Sequence, residues 1–121
     1  MSTLNVANVT DGTTSVPTGY VVNWSAKAWC NVNGSGTIAI RDSQNVSSVT
    51  DNGTGDISYN FSNSMANANY VIVVSGGQDN SQGMARYSEA TGSWRTYCYN
   101  EFSRDAFDGS VQSSAIFGDL A

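Results

Sequence analysis

Lys27-Ala28-Trp29-Cys30-Asn31-Val32-Asn33-Gly34-Ser35-Gly36-Thr37-Ile38-Ala39-Ile40 alternates apolar and polar side chains around a glycine-bearing centre. Ala28, Cys30 and Val32 fall on one side, and Lys27, Trp29, Asn31 and Asn33 on the other. A period of two marks a half-buried strand. Asn33-Gly34-Ser35-Gly36 tolerates positive φ, and two alternating runs around such a turn predict a β-hairpin. Its expected core face is Cys30, Val32, Ile38 and Ile40.

Downstream, the same logic repeats. Asp51-Asn52-Gly53-Thr54-Gly55-Asp56 is a second turn, followed by Ile57, Tyr59 and Phe61 alternating with Ser58, Asn60 and Ser62. Tyr70 to Val74 is the most apolar run and reads as a central buried strand. In Ser93–Asn100, Trp94, Thr96 and Cys98 oppose Arg95, Tyr97 and Tyr99. Ala115-Ile116-Phe117 closes the series. Turns recurring every ~10 residues, with no helical period, predict an all-β, small antiparallel β-sandwich. Upstream, Leu4, Val6 and Val9 are thinly spaced among polar residues. Residues 1–26 therefore read as an extended lead-in or stalk junction, and residues 27–121 as the sandwich head.

Composition narrows the function classes. The 121 residues form one domain on size, with a net charge of −5. Lys27, Arg41, Arg86, Arg95 and Arg104 are scattered, which argues against nucleic acid as a partner. No stretch approaches the ~18 apolar residues of a membrane span. No signal-peptide pattern precedes Leu4, so the chain is expected to be intracellular when made, or excised from something longer. Cys30 and Cys98 each sit in an apolar strand pattern and read as buried thiols rather than a bridge. Six Asn-x-Ser/Thr sequons, at Asn8, Asn23, Asn33, Asn45, Asn52 and Asn60, are what so Asn- and Ser-rich a chain produces by chance.

There is no histidine, which removes the commonest general base and metal ligand. Lys27 is the only lysine, and no phosphate-binding loop occurs. Paired carboxylates are the one route to hydrolysis, but Asp51, Asp56, Asp79, Asp105 and Asp108 all sit beside turn residues, where Asp caps the backbone. The Asp51–Asp56 loop offers oxygen ligands for calcium but reads better as a hairpin turn. The expectation is a binding module, not an enzyme, without metal or cofactor.

Tyr87, Trp94, Tyr97, Tyr99, Phe102 and Phe107 crowd the last third of the chain. The face carrying Tyr97 and Tyr99 reads in two ways, as a platform for sugars or protein partners or as a second buried surface. Trp29 shares the ambiguity. The candidate receptor-binding residues are Trp94, Tyr97, Tyr99, Tyr87 and Arg86. The loops Gly76–Gly83 and Ser88–Ser93, with Arg86 and Glu89 nearby, are natural places for further polar contacts.

Several strings together resemble the C-terminal, distal domain of phage tail fibres common among marine bacteriophages. These are Ala26-Lys27-Ala28-Trp29, Asn33 to Ser43, Asn45 to Asp56, Asn60-Phe61, and Met65-Ala66-Asn67-Ala68-Asn69-Tyr70. Asn8 to Thr13, Val16-Pro17 and Ala115-Ile116-Phe117-Gly118 fit as well. The resemblance covers about the first 74 residues. Trp24 stands where glycine is expected and Cys30 where valine is expected, and residues 76–113 match nothing in it. It implies a homotrimeric fibre tip on the virion, made in the host cytoplasm, that attaches to a cell-surface polysaccharide or outer-membrane protein. The competing readings are a carbohydrate-binding module of a secreted enzyme and a purely structural virion protein.

Overall fold

The computed structural model describes residues 1–76 and 82–121. The chain runs β1 (Asn8–Thr10), β2 (Ser15–Pro17), α1 (Thr18–Trp24), β3 (Ala28–Asn33), β4 (Ala39–Gln44), β5 (Val46–Gly53), β6 (Asp56–Phe61), β7 (Val71–Gly76), β8 (Gln82–Ala90), β9 (Ser93–Asn100) and β10 (Gln112–Phe117). Two four-stranded sheets, in the orders β4-β3-β10-β7 and β5-β6-β9-β8, carry the fold, and every pairing is antiparallel. The all-β sandwich expected from the alternation is what forms.

The core lies between the sheets. Ala28, Cys30 and Val32 from β3 and Ile116 from β10 meet Ile57, Tyr59 and Phe61 from β6 and Trp94 from β9. Aromatic geometry organises the middle: Tyr59 and Trp94 stack with centroids 4.8 Å apart, and Phe61 meets Trp94 at 4.7 Å. The Thr96 hydroxyl donates to the Tyr59 hydroxyl at 3.3 Å. Cys30 and Cys98 are free and buried, one in each sheet. Burial pushes the Cys30 thiol up to about 11 and the Tyr59 hydroxyl up to about 12.

The chain passes between the sheets at Asn45, which adopts a left-handed φ of 56° between β4 and β5. Its side chain fixes the corner, with Oδ1 accepting from the Asn63 N–H at 2.7 Å and Nδ2 donating to the Asn63 carbonyl at 3.0 Å. Asparagine is among the few residues that tolerate this conformation.

The structure departs from the sequence expectations in four places. Residues 8–24 form a small hairpin and a helix instead of an extended lead-in. Pro17 sets φ −57° ahead of the helix, and the Thr18 hydroxyl donates to the Ala7 carbonyl at 2.7 Å, docking helix to hairpin. Seven residues are too few to show a helical period, and none of them is buried.

Ile40 is 36% exposed, so it is not a core residue. It pairs with Val32 on the edge strand β4, after a bulge that shifts the register, and Ile38 packs against the core instead.

The run Tyr70 to Val74 is not a central strand. β7 lies at the sheet edge with Val71 and Val73 facing outward, while the central positions belong to β3 and β10. Ser88–Ser93 is not an open loop either, because β8 and β9 join there through a tight turn at Thr91-Gly92. Of the expected Gly76–Gly83 loop, residues 77–81, including Asp79, lie outside the described residues.

Candidate functional site

On the outer face of the sheet β5-β6-β9-β8, three tyrosines line up. Tyr87 and Tyr97 have ring centroids 6.4 Å apart, and Tyr97 and Tyr99 6.3 Å. Strand alternation places Tyr97 and Tyr99 opposite Trp94, Thr96 and Cys98, all of which are buried. Tyr87 reaches the same face through a bulge. The register of β8 against β9 shifts between Arg86 and Ser88, so Tyr87 is the extra residue. It is 61% exposed, whereas Tyr97 and Tyr99 are half-buried.

The rings lie against the sheet because their cross-strand partners are small. Tyr97 pairs with Ala85 and Tyr99 with Gly83. A Cβ on Gly83 would stand 2.6 Å from the Tyr99 ring, so this position is held open for the tyrosine. Larger residues at positions 83 and 85 would lift the rings off the surface.

Two guanidinium groups border the row. Arg95 sits over the Tyr87 ring, 4.6 Å from its centroid, and Arg104 lies 5.4 Å from that of Tyr99. Arg95 also forms a two-pronged pair with Asp56, its Nε donating to Oδ1 at 2.6 Å and its Nη2 to Oδ2. That pairing holds the Asp56 carboxyl below the usual carboxylate range. Asn52 adds polar groups beside it, donating to the Ser58 hydroxyl at 2.7 Å and to Asp56 at 3.4 Å.

The loop after β9 holds Arg104 in place. Asn100 Oδ1 accepts from the N–H groups of Phe102 and Ser103, and the Asn100 carbonyl accepts from Arg104 N–H at 2.8 Å. Tyr99 bridges to Ala106, and Asp108 accepts from Gly55 N–H at 2.7 Å, tying this loop to the β5–β6 turn. In that turn the Asp51 carboxylate accepts from Gly53 N–H at 2.9 Å, the backbone capping expected of it.

The structure thus unites Tyr87, Tyr97 and Tyr99 but separates the other two candidates from them. Trp94 is 1% exposed and stacks inside the core, so it cannot touch a ligand. Its position in the alternation, in phase with Thr96 and Cys98, already indicates this. Arg86 pairs in register with the buried Thr96, and it emerges at the sheet edge on the other side, bound to Glu89. Arg95, Asp56 and Arg104 complete the face, though none of them is among the candidate receptor-binding residues. Arg95 shares the alternation of Tyr97 and Tyr99, so it was recoverable from sequence. Asp56 and Arg104 depend on pairing and loop geometry.

The opposite outer face has a different character. Asn23 and Trp24 of α1 overhang Val71, Val73 and Phe117, enclosing an apolar cleft of about 730 Å³. Trp24 and Val71 are 74% and 59% exposed. On the same sheet Trp29 is half-buried, and its Nε1 donates to Gln44 Oε1 at 3.0 Å.

No family model, curated protein or solved structure matches the chain.

Proposed function

We propose that this chain is an attachment module that holds a cell-surface glycan or protein on the Tyr87–Tyr97–Tyr99 platform. The observation that carries the reading is three tyrosine rings side by side on the outer face of a rigid sheet, Tyr97 and Tyr99 seated over small residues. Rings locked by a strand offer contact area at little entropic cost, which suits repeated weak recognition. The likeness to distal tail-fibre domains supports a place on a virion, where the module would work as a homotrimer. Leu4, Val9, Tyr20, Val22 and Trp24 leave large apolar surfaces in water, and other copies of the chain could cover them. Several weak sites on one particle would then add up through avidity.

Binding of fluorescently labelled protein to intact bacteria tests the reading. Tyr97→Ala and Tyr99→Ala should lower cell binding at least about tenfold with the fold intact, the scale of losing one well-packed aromatic contact. Unchanged binding by both variants would refute the platform. Light scattering tests the assembly, and a monomer at working concentration would count against the fibre tip.

A further inference from the structure

We infer that the ligand of the platform is an acidic saccharide, whose anionic group is met by Arg104 at the Tyr99 end. The inference rests on the platform reading above and adds the chemical class of its ligand.

The argument begins with charge. The chain carries ten acids and five bases, and most cations near the tyrosine row are already committed. Arg95 is held by Asp56 in a two-pronged pair, and Arg86 by Glu89 on the other side of the strand. Arg104 differs. Among the described residues it enters no ion pair, although Glu101 and Asp105 share its loop. Among the described residues its side chain meets the Tyr99 ring, 5.4 Å from the guanidinium carbon.

The loop keeps it there. Arg104 adopts a left-handed φ of 67°, a backbone conformation that few non-glycine residues take up, and the turn around it holds its backbone there. Those surroundings are the Asn100 side chain, which caps the turn, and the Tyr99–Ala106 bridge. The outcome is a planar fork of donors standing at the end of an aromatic row, with its charge unspent.

A saccharide fits this pattern better than a flat hydrophobic partner. Sugar rings present C–H faces that rest on aromatic rings, and hydroxyls that reach Asn52, Ser58 and the Asp56 carboxylate beside the row. A carboxylate or sulfate on the sugar beyond Tyr99 would take the two parallel N–H groups of Arg104. Along the tyrosine row Arg104 is the cation outside an ion pair among the described residues, so an acidic glycan lying on the row would be oriented with its anionic group at the Tyr99 end.

Isothermal titration of the intact chain tests this with three probes of equal length: a neutral oligoglucoside, an oligoglucuronate and a sulfated oligoglucoside. At least one acidic probe should bind about tenfold or more tightly than the neutral one, the usual worth of a charge-assisted hydrogen bond. Which acidic probe it is tells carboxylate from sulfate. Raising salt from about 50 mM to about 500 mM should erode the difference. Arg104→Gln should abolish it without moving the melting temperature, while Arg104→Lys should retain part of it. Equal affinity for neutral and acidic probes, or an acidic preference that survives Arg104→Gln, overturns the inference. If Tyr97→Ala still lowers cell attachment about tenfold in that event, the platform stands and only its assigned ligand class falls.

Discussion

The indole Nε1–H of Trp94 donates to the Ser114 hydroxyl at 3.0 Å, joining β9 of one sheet to β10 of the other across the core. Both side chains are buried, so neither group has water to fall back on. Ser114→Ala would leave the indole N–H unsatisfied. It should lower stability by about 1–3 kcal/mol, measured by urea denaturation. A change below about 0.5 kcal/mol would mean that the bond does not join the sheets in solution.

Ile116 and Ile40 give a matched pair for core mapping. Ile116 is fully enclosed, while Ile40 sits on an edge strand with a third of its surface in water. Ile116→Ala should cost about 2–5 kcal/mol as a cavity. Ile40→Ala should cost under about half of that, since less area is lost from burial. Equal losses would return Ile40 to the core, where alternation alone had placed it.

Gly83 and Gly55 should respond oppositely to alanine. A methyl group at position 83 meets first the far end of the Tyr99 ring, which can swing away, and its φ is not left-handed. Gly83→Ala should therefore leave the melting temperature nearly unchanged while weakening cell binding, because it unseats the ring. Gly55 has φ +71°, and a methyl there would lie 2.3 Å from the Cys98 carbonyl oxygen, which is backbone. Gly55→Ala should cost more than about 3 kcal/mol through combined strain and overlap. Thermal melts of the two variants, with cell binding for the first, separate these outcomes.

Alkaline pH should destabilise the fold. Burial raises the Tyr59 and Tyr70 hydroxyls to about 12 from an ordinary 10.0, and the Cys30 thiol to about 11 from 9.0. The folded state holds these protons more tightly than the unfolded state does. Their contribution is therefore complete below pH 9 and falls away as pH rises toward 12. Urea midpoints measured from pH 8 upward should show a plateau, then a decline that is shallower in Tyr59→Phe. Asp56 acts at the other extreme. Its depressed carboxyl contributes above the ordinary value of 3.8 and loses that contribution as acid protonates it. A flat alkaline limb would show that these groups are less buried than the structure places them.

How much could be read in advance depended on the signal each segment carries. The strands β3, β6 and β9 each have one face in the core and one outside, so their burial alternates residue by residue and the sequence displays it. The β7 run does not alternate in hydrophobicity, because its outer valines lie beneath Trp24, and uniform apolarity looks like centrality. The helix was hidden because it buries nothing and so needs no stripe. For the platform, the shared face of Tyr97 and Tyr99 was visible in the spacing. Tyr87 was aligned by a bulge, Asp56 by a neighbouring strand and Arg104 by a capped loop, and none of these is a property of local periodicity.

The tyrosine row and the helix α1 occupy opposite outer faces of the sandwich. A force applied at one face reaches the N-terminal segment through the thickness of the molecule and along the backbone that crosses between the sheets. The load path runs from β9 through the Trp94–Ser114 hydrogen bond and the core packing into β10 and β3, and from there to Lys27 and α1. If the row is the gripping face, force between the two faces loads the contact between the sheets before it draws out the backbone that crosses between them at Asn45.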